Sequence, residues 1–300
     1  MIERPRTDES RSPHPQEQGP GLRRDRAAQP PPVRRDARVP DPATDDAWAP
    51  LAKRFVDDHY GSLRGRVRTH VINEHLRSHV GPPPRRVVDV GGGAGNQSVP
   101  LARAGYDLTI VDPSAAMLER AAVRRSNEAD EVAARVRLIE ASGEDAPRAL
   151  SGETLDTVLC HGVLMYLEDP KPLVDSLCEL AAPGAVVSIV AKNVEVMALR
   201  HAHEGDWPAA IAAFDSDRQV NGLGVDTRGD RIDHLSELIA RRGVEPLAWY
   251  GVRLFTDGWT RNRDVTDPEE LVLQAELMAS QRDPYRRLSR LFHLIGRRPS

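Results

Sequence analysis

Between Arg86 and Gly95 the chain reads Arg-Val-Val-Asp-Val-Gly-Gly-Gly-Ala-Gly, an apolar strand that runs straight into a glycine-rich turn and from there into a helical stretch. Glycine is required at such a junction because the backbone turns sharply and lets a ligand approach where a Cβ would collide. Strand and helix then alternate. Strands are predicted at 108–111, 136–139, 155–160 and 185–191, with helices at 95–105, 114–125 (Ser114 as cap) and 170–182 between them. Parallel strands need crossover connections, and the crossovers cover both faces of the sheet. The expected fold is therefore α/β, a doubly wound, Rossmann-like and mostly parallel sheet of seven strands with its last strand antiparallel. Past Lys192 the pattern loosens: a helix is predicted near 194–203, a Gly- and Asp-rich loop over 215–230, a helix at 236–240, a strand at 247–255, a helix at 268–280 and a strand at 291–295.

Composition divides the chain. Residues 1–45 hold 9 prolines, 9 arginines and 8 acidic residues with almost no apolar side chains, too little to offset the entropy of ordering. They are read as a disordered tail preceding one domain over 46–300, in which 46–81 supplies N-terminal helices and 193–230 a lid or insertion. The 41 basic residues include only three lysines, Lys53, Lys171 and Lys192, so arginine abundance reflects a genome-wide bias before any binding role. A net charge of −4 argues against a strongly basic nucleic-acid-binding surface but leaves room for a local patch. Two cysteines offer neither a disulfide framework nor a metal quartet, and no window approaches about 18 consecutive apolar residues. A cytoplasmic protein without a membrane span is expected. His75 and His79, and His201 and His203, are spaced closely enough for a metal but lack a third ligand, so no metal is expected.

The glycine turn alone does not choose a cofactor, since dinucleotide enzymes share it. Asp89, two residues before Gly91, does. A carboxylate there would repel a pyrophosphate but suits a ligand bearing a positively charged amino-acid group, as S-adenosylmethionine does. Gly91, Gly92, Gly93 and Gly95 form the expected cradle. Asp112 closes the next strand 17 residues after Gly95, where a carboxylate accepts hydrogen bonds from both ribose hydroxyls; a helix N-terminal carboxylate beside Pro113 is the bland alternative. Ser142 and Gly143 come after the third strand, where such sheets hold an adenine edge.

With these residues the chain resembles the class I S-adenosylmethionine-dependent methyltransferases. Four further segments narrow the likeness: Phe55-Val-Asp-Asp-His-Tyr60-Gly61 with Arg68 downstream, Cys160-His161-Gly-Val-Leu, Tyr250-Gly-Val-Arg253-Leu-Phe255 and Arg282-Asp-Pro-Tyr285-Arg-Arg-Leu288. They are similar to the tRNA 5-carboxymethoxyuridine methyltransferases, which convert the carboxylate of a modified wobble uridine to its methyl ester. The resemblance spans roughly residues 50–298. It implies that Arg68, Gly91, Gly92, Asp112, Ser142, Gly143 and His161 contact the cofactor, and that tRNA is the acceptor. One departure stands out: where that family carries a lysine-rich run after the fifth strand, this chain has Phe214 to Asp230 without a lysine. Phosphate neutralisation dominates nucleic-acid affinity, so a small-molecule O- or N-methyltransferase is the competing reading, and a non-catalytic cofactor-binding protein a third.

For a carboxylate acceptor the enzyme needs a clamp, not a base. Arg253, on the strand predicted at 247–255, is the candidate clamp, with Tyr60 and Tyr285 as further acceptor-positioning groups. A solvated strand arginine and packed tyrosines are the bland counterparts. His161 becomes the natural base only if the acceptor is a phenol or an amine. Arg68 stands four residues from Arg64, and a solvated arginine stripe would look the same. Cys160 belongs to the core.

Overall fold

The computed structural model describes residues 60–222, 224–257 and 268–300; the tail read over 1–45 and the start of the N-terminal helices lie outside them. Helix α1 (Leu63–Arg77) opens the described chain, its first turn capped by the Ser62 hydroxyl, which accepts from the Gly65 amide at 3.2 Å. Strands β1 (Arg86–Val90), β2 (Asp107–Asp112), β3 (Val136–Glu140), β4 (Leu155–His161) and β5 (Ala181–Lys192) alternate with α2 (Val99–Arg103), α3 (Ala115–Ser126), the short α4 (Asp130–Ala133) and α5 (Ala146–Ala149), and α6 (Lys171–Leu180). Beyond β5 lie α7 (Met197–His203), α8 (Trp207–Ala212), the strands β6 (Arg218–Val220) and β7 (Asp226–Arg228), α9 (Ile232–Ala240), β8 (Glu245–Val252), α10 (Glu269–Ser280) and β9 (Leu291–Arg297).

The main sheet has the order β3-β2-β1-β4-β5-β9-β8, with β9 antiparallel to both of its neighbours. Both faces are covered, so its strands are apolar nearly throughout. Val88, Val90, Val158, Cys160 and Ile189 pack with α6 and α9 on one face; Val87, Leu108, Ile110, Leu159 and Val190 pack with α1 and α3 on the other. Full burial of each such side chain is worth about 1.5–3 kcal/mol. Chain order reverses between β1 and β4, which opens a crevice beyond the carboxyl ends of those strands.

Three expectations need correction. The stretch 215–230 contains an antiparallel hairpin of β6 and β7, in which Arg218 pairs with Arg228 and Val220 with Asp226, because the Asn221 amide bonds the Val225 carbonyl at 2.8 Å and so closes the polar turn. Strand β8 ends at Val252 and not at Phe255, since Arg253 takes φ +62, a left-handed conformation that breaks the pleat. Helix α2 is limited to five residues, because the glycine turn occupies the chain up to Ser98.

Candidate active site

The glycine turn is packed from three sides. Gly91 has φ +70, and a Cβ there would lie 2.4 Å from the Val163 side chain; one on Gly92 would lie 2.7 Å from the Asp89 carboxylate. Asp89 is only 1% exposed and supports the turn from beneath. Burial raises its carboxyl to about 6, Asp112 adding to the shift and Arg68 opposing it. Asp112 fixes the other side: one carboxylate oxygen accepts from the Gly93 amide at 2.8 Å, the other from the Ser114 amide at 2.9 Å. The Ser114 hydroxyl in turn caps α3 by accepting from the Met117 amide. Asp112 is thus a loop anchor that holds the turn through both of its oxygens.

Arg68 is buried, not part of a solvated stripe. It donates to the Tyr60 hydroxyl at 3.0 Å, to Gln97 Oε1 at 3.2 Å and to the His161 carbonyl at 2.9 Å. One side chain therefore ties α1 to the segment after the glycine turn and to the end of β4, leaving further guanidinium donors. His161 is buried, and its Nε2 lies 2.8 Å from Ser188 Oγ. Burial, with Arg68 nearby, holds its imidazole well below the ordinary value. The Ser142 hydroxyl bonds Asp145 at 3.0 Å and accepts from its amide at 3.1 Å. Gly143 has a packing reason to be glycine: a Cβ would meet Leu173 at 2.4 Å. Cys160 is fully buried in the core, which pushes its thiol up.

At the same end of the sheet, β5, β9 and β8 bring together cations that sequence reasoning largely missed. Lys192 pairs in register with Leu291, and Leu291 with Val252, so Lys192, Arg290 and Arg253 emerge side by side. Arg253 forms an ion pair with Asp257, and Arg290 reaches the other oxygen of that carboxylate at 3.9 Å. Burial opposes ionisation of Asp257, but Arg253 and Arg290 overcome it and hold the carboxyl low. Arg290 also donates to Gln219 Oε1 at 2.6 Å, and Lys192 to Thr227 Oγ1 at 2.9 Å. Burial, reinforced by Arg290, brings the Lys192 ammonium down to about 7. Arg253 Nε and Arg290 Nη1 are buried and make no hydrogen bond among the described residues. Glu276 on α10 holds the turn after Arg253, accepting from the Leu254 and Thr256 amides at 2.9 and 2.8 Å. Tyr285 instead lies 47% exposed against Phe255. A lone lysine closing a buried strand was the available signal for Lys192. Arg290, in a run with Arg286 and Arg287 that could meet phosphates, reads more readily as a solvated face in so arginine-biased a chain.

A family model described as a methyltransferase domain matches residues 88–187, from β1 into β5. This is a class I S-adenosylmethionine-dependent methyltransferase. The methyltransferase is 26% identical over 252 residues to the tRNA 5-carboxymethoxyuridine methyltransferase of Escherichia coli K12, covering 83% of this chain and 95% of that one. It is 25% identical over 213 residues to the ubiquinone biosynthesis O-methyltransferase of a Chelativorans species, covering 66% and 78% of the two chains. Among solved structures, magnesium protoporphyrin IX methyltransferase of Synechocystis, determined with bound SAH, shares the fold at a TM-score of 0.56 and 15% identity, over 84% of this chain and 97% of that one. S-adenosylmethionine is the cofactor, and the glycine cradle and the anchored Asp112 carboxylate fit it. Among the described residues no group of three His, Cys, Asp or Glu side chains is placed to hold a metal, and no helix is long and apolar enough to cross a membrane.

Proposed function

We propose that the methyltransferase esterifies a carboxylate, and that this carboxylate is the carboxymethoxy group of 5-carboxymethoxyuridine at the tRNA wobble position, a cytoplasmic substrate. The observation that carries the reading is the set of buried Lys192, buried Arg290 and half-buried Arg253, whose two arginines share one carboxylate, Asp257. Unpaired buried guanidinium donors cost about 1–3 kcal/mol each, and an anionic acceptor satisfies them with charge-assisted bonds stronger than those a neutral phenol oxygen accepts. Arg253 thus keeps its role as clamp, but shares it with Lys192 and Arg290. Tyr60, bonded to Arg68, orients the cofactor side, and Tyr285 is left to stack on a base at the rim.

Bound S-adenosylmethionine supplies an electrophilic methyl on a sulfonium, and transfer depends on alignment of that methyl with the incoming oxygen. Asp112 serves the ribose, the backbone of Gly91, Gly92, Gly93 and Gly95 admits the cofactor closely, and Asp89 supports that backbone. Arg68 and His161 serve the amino-acid end, with Ser142 and Gly143 at the base. A carboxylate of pKa roughly 3–4 is already ionised at neutral pH. No base is then required, in agreement with a His161 imidazole too weakly basic to act as one.

A small-molecule acceptor is the second reading, and one observation favours it. Arg200, Arg218 and Arg228, the arginines of segment 193–230, are all ion-paired, with Glu204, with Asp226 and Glu168, and with Asp230. The segment therefore offers little uncompensated charge to phosphates. The deciding experiment incubates tRNA from a strain lacking the gene with the purified protein and S-adenosylmethionine, and analyses the digested nucleosides by mass spectrometry. Appearance of the methyl ester supports the tRNA reading. Esterification only of small carboxylic acids refutes the tRNA substrate, and methylation only of phenols or amines refutes the carboxylate as well.

Substitutions at the cation set separate acceptor from cofactor binding. Arg290→Ala removes charged hydrogen bonds to the acceptor, so kcat/KM is expected to fall about 100-fold. Lys192→Met is expected to cost about tenfold. S-adenosylhomocysteine affinity by calorimetry stays within about twofold in both; a parallel loss of cofactor affinity would move these residues out of the acceptor site.

A further inference from the structure

The face of the sheet beneath α1 and α10 carries a continuous buried chain of polar side chains from residues far apart in sequence. Ser280 Oγ donates to the Leu277 carbonyl at 2.7 Å. That carbonyl only accepts, and the hydroxyl has a single proton. Towards His75 Nε2, 2.8 Å away, Ser280 must therefore accept. His75 then carries its proton on Nε2 and leaves Nδ1 bare. His293 Nδ1, 3.1 Å from His75 Nδ1, must donate to it, which leaves His293 Nε2 bare. Ser188 gives its one proton to that atom at 2.7 Å and accepts from His161 Nε2 at 2.8 Å. Each link dictates the next, and the order ends on His161 with a bare Nδ1, buried and without a partner among the described residues.

We infer that Ser280, His75, His293 and Ser188 are positioning residues that lock His161 in its Nε2–H tautomer, so that Nδ1 stands as a fixed acceptor for a hydrogen-bond donor on the bound cofactor. Which ring nitrogen holds the proton is set by the partner of the other, and here the partner is itself set four links away. The ring also stays neutral. Burial lowers all three imidazoles, and the charged or titratable groups around them, Arg68 on α1 and His79 just after it, oppose protonation further. Tyr250, stacked on His75 with ring centroids 4.0 Å apart, bonds His79 Nε2 at 2.7 Å and closes the outer end. A neutral acceptor suits a sulfonium-bearing ligand, which an imidazolium would repel. The tautomer order follows from protein atoms alone; only the donor's identity rests on the proposed cofactor contacts.

The test is long-range proton–nitrogen correlation spectroscopy on the ligand-free full chain labelled with ¹⁵N-histidine, with ring signals assigned by single substitutions. His161 and His75 are expected as Nε2–H and His293 as Nδ1–H, with none titrating from about pH 8 to 6. Ser280→Ala is expected to let His161 sample both tautomers and to weaken S-adenosylhomocysteine binding about fivefold, with Ser280→Thr restoring both. A purely structural chain would lower the melting temperature of Ser280→Ala while leaving tautomers and affinity unchanged. That result, an Nδ1–H signal for His161, or its titration near pH 6.5 overturns the inference. The wild-type spectrum alone decides the order, so a poorly folded variant does not leave it untested.

Discussion

Asp112→Asn is expected to weaken S-adenosylmethionine binding by about two decades or more. Each carboxylate oxygen already receives one backbone amide, from Gly93 and from Ser114. Asparagine replaces one of those oxygens with a donor, which then faces an N–H group across a distance set for a hydrogen bond. The substitution therefore loosens the glycine turn and removes a ribose acceptor at the same time. Charged hydrogen bonds contribute about 1.5–3 kcal/mol each, and each 1.4 kcal/mol is tenfold in affinity. Calorimetric titration of folded protein measures the effect, with the melting temperature recorded beside it. An unchanged affinity would remove Asp112 from the cofactor site.

The second large effect concerns acid. His75, His161 and His293 are buried and neutral, with burial as the leading cause of their lowered values. The unfolded chain titrates them at their ordinary value of about 6.5, so it takes up protons that the folded chain refuses. Stability is fully present above about pH 7 and is lost as pH falls through 6.5 towards the folded values, near 3 for His75. Asp89 works in the opposite sense: with its folded value near 6, it takes up a proton in the folded chain and returns part of the loss below that pH. The balance is on the order of 3 kcal/mol lost between pH 7.5 and 5.5, a large share of a typical domain's stability. Urea denaturation at a series of pH values measures it. Stability that stays level or rises over this interval would show that the three imidazoles are not held neutral.

The parts of the molecule fixed by local rules were legible in the sequence. The strand ending at Val90, the glycine turn, Asp112 at the close of β2 and Ser114 as a cap each follow from a constraint within a few residues, and the structure places them together. Arg68 was ambiguous for a physical reason: its burial depends on Gln97 and on the His161 carbonyl, neither of which is near it in sequence. The left-handed turn at Arg253 was hidden because Glu276, on a helix more than twenty residues away, holds that turn in place. The hairpin at 218–228 lacked strand-like periodicity and closes through a polar turn. The histidine chain joins α1, β4, β5, α10 and β9. No spacing rule links such residues, and the four-residue spacing of His75 and His79 suggests at most a metal pair, one that lacks a third ligand.

Methyl transfer to a carboxylate, as proposed for this enzyme, needs no base. The pH profile of single-turnover methyl transfer, with cofactor prebound and 5-carboxymethoxyuridine tRNA saturating, tests this most directly. The predicted rate does not decline between about pH 8 and 6, because the acceptor is ionised throughout and protonation of Lys192, whose value lies near 7, only strengthens its grip on an anion. A rate falling about tenfold per pH unit below a value near 6.5, and abolished in His161→Ala, would contradict the mechanism.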